Sequence, residues 1–333
     1  MKFESVAIIG SGSFGTAIAK LLSPKTGEIL IIGREEDVAS GINGHRRNPR
    51  YLSDIALPEN IRAGTDAAAA AAHPLVVFAV PTAATRTCAE ELAKAGLPAS
   101  TVLLSCAKGI EKNTGARMSE ILREALPGNP VAVLSGPNHA EELAIGQPAC
   151  AVIGSDDPAV ADALQELFTL PHFRPYTSTD LAGIELGGAI KNVYAIAAGI
   201  AHGLGLGDNA VAALVTRALA EMTRLGVALG GRIETFAGLS GVGDLLVTCF
   251  SEHSRNHRVG LALGQGKSLE EAIRDLGMIA EGVPNTLSIH EASRRAGVRT
   301  PIIDAVHSIL YLGKPAAEAL MELLSRVTRS EKD

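Results

Sequence analysis

The chain has 333 residues, of which 47% are hydrophobic and 20% charged, enough to fold as more than one domain around a substantial core. A formal net charge of -6, 3% aromatic residues and no Trp give neither the basic footprint nor the base-stacking surface of a nucleic-acid binder. Cys88, Cys106, Cys150 and Cys249 form no CxxC pair, which argues for buried thiols in a reducing compartment rather than for a zinc site or a disulfide framework. The first residues enter a strand with no signal-peptide pattern, and no uninterrupted apolar run has membrane-spanning length, residues 189–201 coming nearest with Lys191 among them. The expectation is a cytoplasmic enzyme without membrane insertion.

In chain order, SVAII (5–9) reads as a buried strand, followed at once by Gly10, Gly12 and Gly15 in GxGxxG spacing and a helix over 14–22. The first glycine allows a sharp turn, the second a close approach of backbone to a pyrophosphate, and the third tight helix–strand packing, so the turn predicts a dinucleotide at the helix N-terminus. EILII (28–32), LVVFAV (75–80), TVLLSCA (101–107) and PVAVLSG (130–136) read as further strands, alternating with helical patterns at 85–96 and 116–126. This alternation predicts an α/β Rossmann domain, a doubly wound and mostly parallel sheet. The run of alanines at 67–72 reads as a helix, and ACAVIGSD (149–156) and FRPYTS (173–178) as strands at the far edge of the sheet. From about residue 180 the periodicity is helical, broken by glycine-rich loops at 203–207, 238–243 and 264–266. Residues 1–180 are therefore expected to form the dinucleotide-binding domain and residues 181–333 an all-helical one.

Ligands of open parallel sheets bind beyond the carboxyl ends of the strands, and three such ends carry chemistry: AVPT (79–82), SCAKGIE (105–111) with Lys108, and LSGPNHAEE (134–142). The second strand ends in IIGREE (31–36), where Arg34 suits a 2′-phosphate, while Glu35 and Glu36 suit either ribose hydroxyls or a helix N-terminus. Both NADPH and NADH stay open. Lys191 lies in GIELGGAIKNVYAIAAGI, a helix apolar nearly all round; burial would lower its pKa toward general acid–base work, unless it snorkels to the surface or pairs with Glu185. Further on, Asp244 sits beside glycines, and Ser254, Arg255 and Asn256 follow in what reads as one loop suited to an anionic head group. His253 and His257 have helical metal-ligand spacing but no accompanying acidic cluster, so no metal site is expected.

With GSGSFGTA, SCAKGIE, LSGPNHAEE, KNVYAIAAGI, GVGDLLVTCFSEHSRN and AEGVPNT in place, the chain resembles the bacterial NAD(P)-dependent glycerol-3-phosphate dehydrogenases over essentially its full length. The resemblance implies reduction of dihydroxyacetone phosphate, a phosphorylated triose, to sn-glycerol 3-phosphate for phospholipid synthesis, with substrate held between a Rossmann and a helical domain. It implies that Ser13, Phe14, Arg34, Lys108, Ala140, Arg255, Ile279 and Glu281 meet the cofactor, that Lys108, Gly136, Asn138, Asp244, Ser254, Arg255 and Asn256 meet the substrate, and that Lys191 donates and accepts the proton. It also implies a homodimer. Phe14 stands where many relatives carry tryptophan or tyrosine, and Asn138 where Ser or Thr is frequent. Two other readings are a dehydrogenase of the β-hydroxyacid type, which also places a lysine on the first helix of a helical domain, and a nicotinamide-sensing module, which needs neither Lys191 nor the Arg255 loop.

Overall fold

The computed structural model describes residues 2–327 and 330. Its strands are β1 (Ser5–Ile9), β2 (Glu28–Ile32), β3 (Ile61–Gly64), β4 (Leu75–Phe78), β5 (Val102–Ser105), β6 (Val131–Ser135), β7 (Ala149–Ser155) and β8 (Phe173–Ser178). They form one sheet in the order β3-β2-β1-β4-β5-β6-β7-β8, parallel except where β7 runs against β6. β4 and β5 are buried at every position because both faces of the sheet are covered, which explains their unbroken apolar sequences.

The covering helices are α1 (Ser13–Leu22), α2 (Glu36–His45), α3 (Thr85–Lys94), α4 (Met118–Ala125), α5 (Ala140–Ala144) and α6 (Pro158–Phe168). Val6 and Ile8 of β1 point to the face built with α1, α2, α5 and α6, while Ala7 and Ile9 point to the face built with α3 and α4. Strand order reverses between β1 and β4, so the crevice beyond their carboxyl ends holds Gly10 and Ala79.

Beyond β8 every regular element among the described residues is helical: α7 (Leu181–Gly203), α8 (Asp208–Ala228), α9 (Ile233–Phe236), α10 (Asp244–Phe250), α11 (Arg255–Gly264), α12 (Leu269–Leu276), α13 (Gly282–Arg295), α14 (Pro301–Tyr311) and α15 (Ala316–Leu324). Asp180 starts α7, its carboxylate accepting from the Gly183 amide at 3.0 Å, from the Arg232 amide at 2.8 Å and from the Thr235 hydroxyl. α7 is the axle of this half, buried from Gly183 to Ala201 and packed by α8, α10, α11 and α13. α7 is long and apolar enough to cross a membrane despite Glu185 and Lys191, yet its side chains are enclosed by protein. The run Ile233–Phe250 passes the same test but is divided between α9, a π-helical turn at Leu239–Gly243, and α10.

The structure corrects four local expectations. β3 adds an edge strand that IRAG, with one charged and two small residues, did not announce. The alanine run at Ala67–Ala72, expected as a helix, is a 3-10 helix whose first turn is capped by Asp66. The segment carrying Asp244 and Arg255 is two helices, α10 and α11, rather than one loop. Finally, the stretch expected as a glycine-rich loop at 238–243 is a π-helical turn over Leu239–Gly243, whereas loops do follow α7 and α11 at Gly203 and Gly264, whose glycines also serve packing. A Cβ on Gly199 would strike the His257 carbonyl, one on Gly260 the Ile196 carbonyl, and one on Gly264 the Ile200 carbonyl, so α7 and α11 touch backbone to backbone along a glycine seam.

Candidate active site

At the turn after β1, Gly10 has φ +117°, and a Cβ there would meet the Ala79 carbonyl; a Cβ on Gly15 would meet the Gly10 carbonyl. Gly12 is different, because a Cβ on it would have nothing within 4 Å. The fold itself demands Gly10 and Gly15, whereas Gly12 keeps open the space that an approaching pyrophosphate needs. No side chain caps the N-terminus of α1, so its first amides are left for such an anion. The residues present fit the dinucleotide. Ser13 is buried and its hydroxyl lies 3.4 Å from Nη2 of Arg255; Phe14 packs partly buried against the core. Arg34 is exposed at the end of β2. Glu35 accepts from Ser11 at 3.3 Å and Glu36 from Thr65 at 2.9 Å, with Glu36 in the first turn of α2, so one acid faces the glycine turn and the other serves its helix.

The chemistry converges where the sheet meets α7. Lys191, buried on α7, places Nζ 2.7 Å from Oδ1 of Asp244 and 2.6 Å from the Thr248 hydroxyl. Lys108, in the segment after β5, places Nζ 2.7 Å from Oδ2 of the same carboxylate and 2.8 Å from the Gly136 carbonyl. One buried carboxylate thus joins two ammonium groups carried by different halves of the chain, and Lys191 pairs with Asp244 rather than with Glu185. Glu185 is instead engaged by the Ser119 amide at 2.7 Å, its hydroxyl at 2.6 Å and Arg117 at 3.1 Å.

Burial brings the Lys191 ammonium down to about 8; Asp244 works against that fall and Lys108 adds to it. Burial alone would raise the Asp244 carboxyl, but Lys108 and Lys191 outweigh it and hold the group below the usual carboxylate range. The three groups form a charged cluster with a net positive charge and one proton poised near neutrality.

A second network fixes this cluster. The Lys108 carbonyl accepts from Asn192 at 3.1 Å and from Asn285 at 2.9 Å, and Asn256 donates to Asn192 at 2.9 Å while accepting from the Gly282 amide at 2.8 Å. Arg255 reaches the Ile279 carbonyl at 3.4 Å, and Glu281 accepts from the Thr82 amide at 3.2 Å, so the segment before α13 is tied to both halves. Ser254 caps α11 through the His257 amide at 3.2 Å. Asn138 donates to the Cys150 carbonyl at 2.9 Å and Ala140 is buried at the start of α5, whereas Ile279 is 56% exposed. His257 meets His202 at 2.7 Å, and the His253 ring lies tilted beside that of His139, centroids 5.9 Å apart, so the two histidines with metal-ligand spacing point to different neighbours.

Sequence reasoning missed Thr248, Asn192 and Asn285, and marked Thr82 only as the end of AVPT. The signals were there in part: Thr248 lies one helical turn after Asp244, and Asn192 and Asn285 stand inside two of the quoted motifs. Of the seven buried polar side-chain atoms without a partner among the described residues, His73 Nδ1 and Thr85 Oγ1 lie elsewhere, while five lie at or just beyond the carboxyl ends of the strands: Ser105 Oγ, Ser135 Oγ, Asn138 Oδ1, His139 Nε2 and Thr82 Oγ1. Such atoms are costly to leave unmet, and their position beyond β4, β5 and β6 marks where a polar ligand belongs.

Comparison with known proteins bears on this arrangement. Residues 5–161 match the family model for the NAD-dependent glycerol-3-phosphate dehydrogenase N-terminus, and residues 180–321 the model for its C-terminus. The chain is 42% identical over 330 residues to a glycerol-3-phosphate dehydrogenase [NAD(P)+] of Clostridium perfringens, covering 99% of each chain. It is 45% identical over 325 residues to the protein of that name from Moorella thermoacetica, covering 97% of this chain and 96% of the other. The crystal structure of glycerol-3-phosphate dehydrogenase from Coxiella burnetii superposes with a TM-score of 0.93 at 36% identity, covering 97% of this chain and 99% of that one.

Proposed function

The chain belongs to the NAD-dependent glycerol-3-phosphate dehydrogenase family, and from that premise we propose how its own residues reduce dihydroxyacetone phosphate to sn-glycerol 3-phosphate. The observation that carries the reading is the buried Lys108–Asp244–Lys191 cluster at the meeting of sheet and helical half. The dinucleotide is held by the Gly10–Gly15 turn, Ser13, Arg34 and the segment with Ile279 and Glu281, and when bound in reduced form it supplies the hydride. Lys191 donates its proton to the alkoxide oxygen that forms at the substrate's second carbon, and it does so with a pKa already near the working range. Lys108 keeps a second positive charge at the place where negative charge develops, inside a site of low dielectric. Asp244 orients both ammonium groups and limits the fall in the pKa of Lys191.

Arg255 and Asn256, at the start of α11, supply the charge and the helix N-terminus suited to the substrate phosphate. Binding energy taken far from the reacting carbon then fixes the geometry at that carbon. The same reading makes residues 1–180 and 181–333 the cofactor and substrate domains of a cytoplasmic homodimer that feeds phospholipid synthesis. The test is oxidation of NADPH and of NADH followed spectrophotometrically with dihydroxyacetone phosphate and, separately, with 3-keto acids. Turnover confined to the phosphorylated triose is expected; turnover of the keto acids in its place would assign the chain to the β-hydroxyacid type.

A further inference from the structure

The connection from α2 to β3, residues 46–60, contains no helix or strand. Connections of more than about 12–15 residues without secondary structure are uncommon in compact domains and are usually functional. Near its start Arg47, Pro49 and Arg50 are exposed, yet Asn48 among them is 0% exposed. The carboxamide of Asn48 is fully used. Its Nδ2 donates to the Ser11 carbonyl and to the Thr16 hydroxyl at 2.8 Å each, and its Oδ1 accepts from the Arg50 and Tyr51 amides at 3.1 Å each. A side chain of this length with two donors and two acceptors is asparagine alone.

Ser11 and Thr16 bracket the turn that opens α1. In a planar trans peptide the carbonyl of one residue and the N–H of the next point in opposite directions. By holding the Ser11 carbonyl on its own side, Asn48 therefore turns the Gly12 amide to the other. That amide has no hydrogen-bond partner among the described residues, and it belongs to the glycine on which a Cβ would find nothing within 4 Å. The second Nδ2 bond ties the same carboxamide to α1, where the Thr16 amide donates to the Gly12 carbonyl at 3.0 Å. Both peptide groups of Gly12 are thus fixed, one by Asn48 directly and the other through the first turn of the helix. An anchor for the loop alone has no need of the turn's own peptide.

We propose that Asn48 is a positioning residue for the dinucleotide: it aims the Gly12 amide at the pyrophosphate and so sets the affinity for both reduced cofactors. The inference rests on the reading that the Gly10–Gly15 turn holds the dinucleotide. It adds a residue from the far side of α2 that acts through the backbone of that turn.

Titration of the full chain with NADPH and with NADH, followed by the fluorescence of the cofactor, tests this beside steady-state kinetics. Asn48→Ala should weaken both cofactors by about tenfold or more and to the same extent, because the pyrophosphate is common to them and a hydrogen bond to a charged group is at stake. The cofactor KM should rise in step, while kcat at saturating cofactor and KM for dihydroxyacetone phosphate change by less than about twofold, a split that mere loss of stability does not produce. Thr16→Val keeps the volume and removes one of the two acceptors, so it should weaken both cofactors by about threefold or more, and Thr16→Ser, which keeps the hydroxyl, should bind as the native protein does. The Thr16 pair decides the matter if Asn48→Ala does not fold. Gly12→Val is the reference: its φ of -72° suits valine, and the side chain fills the space left for the anion, so binding of both cofactors should be lost. Native affinity in Gly12→Val would overturn the turn as the cofactor site and this inference with it. Native affinity in folded Asn48→Ala or in Thr16→Val, beside lost affinity in Gly12→Val, would overturn this inference alone, as would a loss confined to NADPH.

Discussion

Lys191 and Lys108 share one carboxylate, and under the proposed mechanism that sharing should set the pH behaviour of the reaction. Reduction needs Lys191 protonated, so turnover in that direction should fall as pH rises through about 8, and oxidation of the product, which needs the neutral amine, should rise through the same range. Replacing Asp244 with Asn removes the partner that opposes burial, so the midpoint should move to lower pH; a profile that does not shift would detach Asp244 from Lys191. At the cofactor end, Arg34→Ala should weaken NADPH by about 1.5–3 kcal/mol more than NADH, the worth of one charged hydrogen-bonded contact, and equal losses in titrations with the two cofactors would assign Arg34 to the fold. Arg255→Lys keeps the charge and loses the planar fork, so kcat/KM should fall more for dihydroxyacetone phosphate than for unphosphorylated dihydroxyacetone. An unchanged ratio would place the phosphate elsewhere. Lys191 was legible in the sequence because a lone cation in an apolar helix is conspicuous. Its partner was not, since nothing in a linear pattern distinguishes Asp244 from Glu185, which lies closer in sequence and faces Ser119 instead. Asn192, Thr248 and Asn285 are polar residues of ordinary kinds, and their roles exist only once α7, α10 and α13 are brought together.

Two elements, α7 and α11, carry Lys191 and the Arg255–Asn256 pair, and the glycine seam decides how they meet. Gly199, Gly260 and Gly264 would each drive a Cβ into backbone of the opposing helix, and backbone cannot rotate aside as a side chain can. Gly260→Val should therefore destabilise the protein by about 1–3 kcal/mol, as overpacking does, and should also raise KM for the phosphorylated substrate because Arg255 and Asn256 ride on the displaced helix. Denaturant melts together with steady-state kinetics would show both effects; a stable variant with native KM would mean that the seam does not set the position of α11. The glycines at 203 and 264 mark loops in the sequence, and loops do begin directly after them, but the sequence does not show that the same glycines also pack. Close helix approach uses the same residue for the opposite purpose, and only the opposing backbone separates the two cases.

On the scale of the whole molecule, the alternation of apolar strands with helical patterns made the parallel sheet readable, because covering both faces of a sheet forces strands into continuous apolar runs. β3 escaped for the same reason inverted: an edge strand buries little, and IRAG has little to bury. The change to helical periodicity near 180 agrees with β8 ending at Ser178 and α7 beginning at Leu181. What the pattern could not supply was the way the two halves close on one another through Lys108, Asp244, Asn285 and Arg255, and the account rests on that closure producing a proton donor at the substrate carbonyl. Single-turnover reduction of dihydroxyacetone phosphate by Lys191→Ala, measured beside cofactor affinity in the same protein, tests it most directly. The rate should fall by about 10²–10⁴-fold, the range for general acid catalysis, with cofactor binding nearly unchanged. Near-native reduction by the Lys191→Ala protein would contradict the account.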